Sequence, residues 1–158
     1  MDVLTKKLRD SYITKKALIK IHKKKGQDFT PSDGPKCIFI AGMGGKEISQ
    51  ILTHLVSHIT SNDRIVISPH RNILELRQYL LCSEFKLFDE VCLKENGQFY
   101  QILCLQKSDN LPQVSLYGNQ LWGDESGKDY LKHLMSALKS HQDADSKAYL
   151  KYLIQLSC

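Results

Sequence analysis

The residues best placed by type and spacing to do chemistry fall in two short segments, Ala41-Gly42-Met43-Gly44-Gly45 and Ser68-Pro69-His70-Arg71-Asn72. The first ends an apolar run and opens directly into a helical pattern. Small residues there let a flat or bulky ligand approach the backbone, with helix N-terminal amides close by. The same glycines serve equally well as a tight strand-to-helix turn with no ligand. Two phosphate-binding motifs are excluded by spacing. A G-x-x-x-x-G-K-[ST] loop ending at Gly45-Lys46 would need glycine where Ile40 stands and a hydroxyl where Glu47 stands. A G-x-G-x-x-G fingerprint begun at Gly42 and Gly44 meets Glu47 at its last glycine. In the second segment, the Arg71 guanidinium is suited to a phosphate or to stacking on a planar ring, or else belongs to a solvated loop.

Other candidate chemistry is thinner. His54 and His58 stand four apart on a helical pattern, but no glutamate follows His54 and no third ligand is evident, so surface histidines are expected and no metal. Ser68 lacks the G-x-S-x-G elbow of a hydrolase. Tyr117 and Trp122, beside leucine and glycine, read as packing residues.

The two segments must be positioned by the elements around them. Residues 17–22, "ALIKIH", alternate as a short strand, after a weak helical pattern in "VLTKKLRDSY". "GQDFTPSDGPK" is a loop by composition. Residues 37–41, "CIFIA", form a continuous β-rich run of the kind covered on both faces. Ile48, Ile51, Leu52, Leu55, Val56 and Ile59 then recur at helical spacing. "RIVIS", residues 64–68, is a second buried-type strand. Asn72 is placed to cap the next helix with Glu75 three residues on, and Ile73, Leu76 and Leu80 line that helix. From residue 86 the period becomes two, and "KLFDEVCLKENGQFYQILCLQ" reads as a hairpin turning at Asn96-Gly97. An irregular stretch, "VSLYGNQLWG", precedes helices in "DYLKHLMSALKSH" and "SKAYLKYLIQL". The order predicts an α/β fold with a mostly parallel sheet that ends in an antiparallel hairpin, followed by C-terminal helices. Ligands of such sheets bind beyond the carboxyl ends of the strands, where both segments fall side by side.

Composition limits the setting. A chain of 158 residues is one ordinary domain in size, with 42% hydrophobic and 25% charged residues. Within it, residues 1–110 carry the sheet and 111–158 form a helical extension packed on it. No apolar run reaches the ~18 residues of a membrane span, and the N-terminus shows no apolar signal region. The five cysteines have no C-x-x-C spacing, which predicts a reduced, disulfide-free, cytoplasmic protein. Residues 1–36 carry a net charge of +6 and the rest −1, so a basic arm joins a neutral body. Such an arm is compatible with binding a phosphate backbone and also with an ordinary lysine-rich surface.

Three motifs, "IFIAGMGGKEISQIL", "DRIVISPHRNILELRQYL" and "DEVCLKENGQFYQIL", agree in order and spacing with one family. Together they resemble the bacterial tRNA adenine-N1-methyltransferases known as TrmK. Those proteins show a strand ending in A-G-M-G-G, a Q-P-N loop before a helix with L-R, and an E-x-G-x-x-Y-x-I hairpin. Here these are Ala41 to Gly45, Ser68-Pro69 with Asn72 and Leu76-Arg77, and Glu95, Gly97, Tyr100 and Ile102. The resemblance implies a Rossmann-like methyltransferase that uses S-adenosylmethionine to methylate an adenine ring nitrogen of tRNA. It implies that Gln27 and Asp28 approach the cofactor's adenine, and that Ala41, Gly42, Met43, Gly44 and Gly45 border the methyl donor. It implies that Ser68, Pro69, His70, Arg71 and Asn72 face the substrate, and it names no catalytic base.

The chain departs from that family at two points. Ser68 replaces the usual glutamine, with His70-Arg71 inserted before Asn72. No counterpart of the family's first two strands is visible, including the acidic loop that cradles the cofactor's methionine part. Without them an unpaired apolar edge is expected on "CIFIA", which is an association risk. Two expectations follow: a C-terminal piece of a longer enzyme, or a reduced relative, non-catalytic and RNA-binding or vestigial, that covers the edge by pairing as a homodimer or by moving its N-terminal elements.

Overall fold

The structure is a computed structural model, and it describes residues 22–140 and 143–156. The helix expected near the N-terminus and, but for His22, the strand expected at 17–22 lie outside the described residues. Four strands, β1 (Cys37–Gly44), β2 (Arg64–Arg71), β3 (Phe85–Glu95) and β4 (Gln98–Lys107), form one sheet in the order β1-β2-β4-β3. β1 and β2 are parallel, while β4 runs antiparallel to both β2 and β3. Four helices accompany them: α1 (Gly45–Leu55), α2 (Ile73–Leu81), α3 (Glu125–Lys139) and α4 (Ala144–Leu156). The sheet is therefore mixed, with one parallel pairing among the described residues.

The β1–α1–β2–α2 succession follows from local sequence. Ile48, Ile51, Leu52 and Leu55 bury one stripe of α1, and Leu76 and Leu80 bury one stripe of α2. Both stripes meet Ile40, Ile65, Ile67, Leu87, Leu103 and Leu105 on a single face of the sheet. β3 and β4 meet at Asn96 and Gly97, whose φ values of 49° and 78° meet the demand of a two-residue turn for positive φ at both positions. A second core joins Cys92 of β3 to Leu121, Leu131 and Leu153, with Phe99, Tyr117, Tyr130 and Tyr149 packed around it. It is built on the same sheet face, since Cys92 pairs with Gln101 and the inward parity of β4 runs through Gln101, Leu103 and Leu105.

The opposite face differs from expectation. Cys37 to Ala41 was expected to be covered on both sides, yet Phe39 is 73% exposed. Phe88, Val91 and Leu93 also lie open, with the Arg64 guanidinium 4.1 Å from the Phe88 ring centroid. The reason is topological. All four described helices pack on the other face, and β1 has β2 as its one strand neighbour among the described residues. Among the described residues, half of an apolar run then has nothing to bury against.

Two ion-paired clusters tie the elements together. Asp63 accepts hydrogen bonds from the N–H groups of Thr60 (2.7 Å) and Lys36 (2.9 Å), from the Thr60 hydroxyl (2.9 Å) and from Lys36 Nζ (3.1 Å), locking the starts of β1 and β2. Burial opposes its ionisation, but these donors outweigh burial and hold its pKa at about 2. In the second, the buried Arg77 of α2 pairs with Glu90 of β3 and donates to Gln101 Oε1 (2.8 Å) and to the Ser115 carbonyl (2.8 Å). Among the described residues no helix is long and apolar enough to cross a membrane. Cys37, Cys82, Cys92 and Cys104 are free thiols.

Candidate functional site

The strands run further than the sequence indicates. "AGMGG" and "SPHRN" were expected as loops after strands ending at Ala41 and Ser68. Instead β1 continues to Gly44 and β2 to Arg71, and the two segments pair across the parallel ladder as Met43 with Pro69 and Gly44 with Arg71. The register slips between Ala41 and Met43 and again between Met43 and Gly44. Gly42, at φ 77°, is the residue skipped at the first slip, and no atom lies within 4 Å of a Cβ built there. A bulge of this kind needs a residue tolerant of positive φ, and it bends the strand end outward.

Gly45 is required for a different reason, and Gly44 faces mobile side-chain ends. A Cβ on Gly45 would stand 2.2 Å from the Asn72 carbonyl oxygen and 2.9 Å from Leu76 Cβ, so α1 begins in contact with the start of α2. A Cβ on Gly44 would meet Glu47 Oε2 at 2.5 Å and Arg71 Nε at 3.0 Å. The glycine run and the Ser68–Asn72 segment thus form one continuous edge. Ala41, Gly42 and Met43 are exposed along it beside exposed His70, Arg71 and Asn72, while Pro69, Gly44 and Gly45 are buried beneath.

The polar groups on this edge are loosely held. Arg71 lies 3.8 Å from Glu47 with both side chains largely in solvent, a pairing weak enough to be exchanged for another anion. His70 stands edge-on to Tyr100 of β4, centroids 6.2 Å apart. Asn72 occupies the N-cap position of α2 but makes no side-chain cap bond. Its φ of 57° is left-handed, whereas a capping side chain needs extended backbone to reach the N2 or N3 amide. The capping box expected of Asn72 and Glu75 is accordingly not formed. α1 likewise starts at Gly44 without a side-chain cap, leaving its first amides to other acceptors.

Gln27 and Asp28 meet the helix that the glycines open. They belong to a short 3-10 turn, Gly26–Asp28, in which Gly26 lies against Ile51 and Gln27 Nε2 donates to Gln50 Oε1 (3.1 Å). Gln50 is five residues into α1 from Gly45, about 7.5 Å along its axis. The structure joins this turn to the second turn of α1, with Asp28 exposed. His54 and His58 are neighbours, their ring centroids 5.6 Å apart. Among the described residues no group of three or more metal-ligating side chains exists. Tyr117 packs flat on Tyr149 at 4.1 Å, and Trp122 packs against the second core.

One feature of the site's surroundings is not visible in the pattern of residues. Arg77, Glu90 and Gln101 are buried together, and Arg77 and Gln101 line a cavity of about 520 Å³ whose wall includes Ile73 and Leu74, from the first turn of α2. Burial lowers the Arg77 pKa to about 10, with Tyr130 and Tyr149 opposing, so the guanidinium stays charged. The sequence holds one signal for it, the Leu76-Arg77 pair noted above. Cys92 is a poor nucleophile, since burial, aided by Asp124, pushes its thiol up to about 11.

Comparison with known proteins bears on this edge. A family model described as "Methyltransferase domain" matches residues 3–103. The tRNA (adenine(22)-N(1))-methyltransferase of Bacillus subtilis is 35% identical over 72 residues, 46% of this chain and 30% of that protein. A putative tRNA methyltransferase of Mycoplasma pneumoniae is 32% identical over 103 residues, 59% of this chain and 46% of its own. The chain therefore spans less than half the length of these two relatives. Among solved structures, a putative tRNA (m1A22) methyltransferase of Streptococcus pneumoniae in complex with S-adenosyl-L-methionine superposes with a TM-score of 0.54 at 23% identity, covering 76% of this chain and 59% of that one. An uncharacterized protein of Listeria monocytogenes superposes with a TM-score of 0.56 at 18% identity, covering 77% and 59%. At these identities the superpositions establish the shared fold.

Proposed function

This chain belongs to the methyltransferase-domain family, and from that premise we propose that it serves an S-adenosylmethionine-dependent enzyme that methylates an adenine ring nitrogen of tRNA. The observation that carries this reading is the shared edge of the glycine run and the Ser68–Asn72 segment. Bare backbone at Gly42 and the exposed Ala41–Met43 strip fit a bulky, flat ligand seated against the sheet end. The relatives' names add tRNA and adenine as the substrate class, and a neighbour of the same fold was solved with S-adenosyl-L-methionine.

Bound there, S-adenosylmethionine supplies an electrophilic methyl carbon on a sulfonium. The protein's task is to hold the adenine nitrogen in line with that carbon and to exclude water, so positioning is the main effect. In this reading Ala41, Gly42, Met43, Gly44 and Gly45 border the cofactor, with Gln27 and Asp28 toward its adenine. Ser68, Pro69, His70, Arg71 and Asn72 form the substrate side. Arg71, paired among the described residues with the half-exposed Glu47, exchanges that partner for an RNA phosphate.

Calorimetric titration with S-adenosylhomocysteine tests this assignment. The parent should bind, and Gly42→Asn should bind at least tenfold more weakly with its fold intact. Asparagine tolerates the left-handed backbone while its side chain fills the open approach. Equal affinity in parent and variant would remove the glycine edge from the cofactor site. A second reading, a non-catalytic RNA-binding relative, rests on the exposed Lys23, Lys24 and Lys25. It requires tRNA binding that weakens with salt and is lost when these three are replaced by alanine, with no cofactor binding at all.

A further inference from the structure

The cavity beside α2 is not accounted for by the edge described above. Its volume, about 520 Å³, falls within the roughly 300–1,000 Å³ typical of small-molecule sites. Its walls are apolar and aromatic, with Leu134, Leu138, Tyr117, Tyr130 and Tyr149 among them. Its floor is polar and ordered. Arg77 donates to Gln101 Oε1, and Gln101 in turn lies beside the Tyr130 hydroxyl. Arg77 and Gln101 are 3% and 7% exposed, so the floor is built into the core and is not a surface crevice.

Charge narrows the ligand. Arg77 is matched by the buried Glu90, so the floor carries no net charge and offers nothing to a phosphate. Tyr130 and Tyr149 are neutral phenols, since burial raises the pKa of both. Flat aromatic walls over a neutral hydrogen-bonding floor suit a neutral planar heterocycle, which stacks on the rings and pairs its polar edge with the floor. Position narrows the ligand again. Ile73 and Leu74, on the cavity wall, directly follow the His70–Asn72 segment in the chain, and Leu74 is exposed.

We propose that this cavity is a second base-binding pocket, which takes a nucleobase unstacked from the RNA next to the target nucleotide. The proposal rests on reading the chain as an RNA methyltransferase. It accounts for three tyrosines and a buried arginine being gathered where α2, α3 and α4 converge on β4.

The test uses the whole chain labelled with 3-fluorotyrosine, with fluorine resonances assigned through Tyr117→Phe, Tyr130→Phe and Tyr149→Phe. The uncharged nucleosides adenosine, guanosine, cytidine and uridine are titrated in turn. At least one should shift the resonances of these three tyrosines in a saturable way. Ala148→Trp, at an exposed α4 position on the cavity wall, should weaken that binding at least tenfold, while Ala148→Ser should not. The same tryptophan variant should bind an unmodified tRNA transcript at least fivefold more weakly and S-adenosylhomocysteine as the parent does. Absence of nucleoside shifts, or unchanged tRNA affinity in Ala148→Trp, would overturn the pocket while leaving the methyltransferase reading in place. Shifts by N-acetyl-phenylalaninamide and by no nucleoside would reassign the cavity to a protein side chain. Nucleoside shifts in a chain that binds neither tRNA nor S-adenosylhomocysteine would fail the methyltransferase reading and the proposed role in RNA together.

Discussion

At Gly45 a methyl group would collide with the backbone of Asn72, and the two halves of the candidate site are held together by the absence of that group. Gly45→Ala should destabilise the protein by about 1–3 kcal/mol or more, as overpacking against backbone that cannot yield does. Gly42→Ala has free space around it and suffers only from its positive φ, a cost of about 1–2 kcal/mol. Urea denaturation of the two variants separates these causes, and Gly42→Asn should recover much of the second loss and none of the first. Asp63 gives a pH-dependent counterpart. Its pKa is held near 2 in the folded chain against 3.8 ordinarily. The unfolded chain therefore binds the proton more readily, so the contribution is full above about pH 4 and is lost as pH falls through 2. Acid unfolding should steepen across that window in the parent and flatten in Asp63→Asn, which should also be less stable at neutral pH. An unchanged acid limb would show that Lys36 and Thr60 do not bind the carboxylate in solution.

At the scale of elements, what could be read from the sequence depended on how local the cause was. The hairpin was fully legible, because Asn96-Gly97 fixes its turn and the period of two begins beside it. α1 and α2 were legible through their apolar stripes. The ends of β1 and β2 were not. Glycines normally signal a turn, and their place in a ladder depends on a partner strand some 25 residues away. Residues Ala41 to Gly45 and Ser68 to Asn72 were identified as neighbours, but as facing loops and not as a bulged ladder. The Arg77–Glu90–Gln101 cluster was hidden for a related reason. Simple alternation from Phe85 and Leu87 would turn Glu90 outward. The register shift at Phe88 changes the phase and turns it in. Because the pair is buried, Glu90→Leu should cost about 3–5 kcal/mol by leaving Arg77 unpaired, and Arg77→Met in the same chain should restore most of it. Thermal unfolding of the two single variants and the double variant checks this; additive losses would mean that the pair is not coupled. On the open sheet face, Phe39→Lys should leave monomer stability within about 0.5 kcal/mol, since little of Phe39 is buried. It should also lower any self-association seen by sedimentation, as a charge on an edge strand does.

At the scale of the whole molecule, the sheet order β1-β2-β4-β3, with helices on one face, explains both where a site can form and why half of the strand surface stays bare. The parallel pair brings two chain segments to one edge, and the hairpin beyond it carries the second core and the cavity. The central claim is that this edge serves methyl transfer to adenine, and one measurement bears on it most directly. Protein purified from its own source is incubated with S-adenosylmethionine and unmodified tRNA, the tRNA is digested, and its nucleosides are identified by mass spectrometry. The account predicts 1-methyladenosine that depends on the protein and is reduced at least tenfold by Gly42→Asn. Active tRNA controls with no 1-methyladenosine, together with no S-adenosylhomocysteine binding by the same preparation, would contradict it.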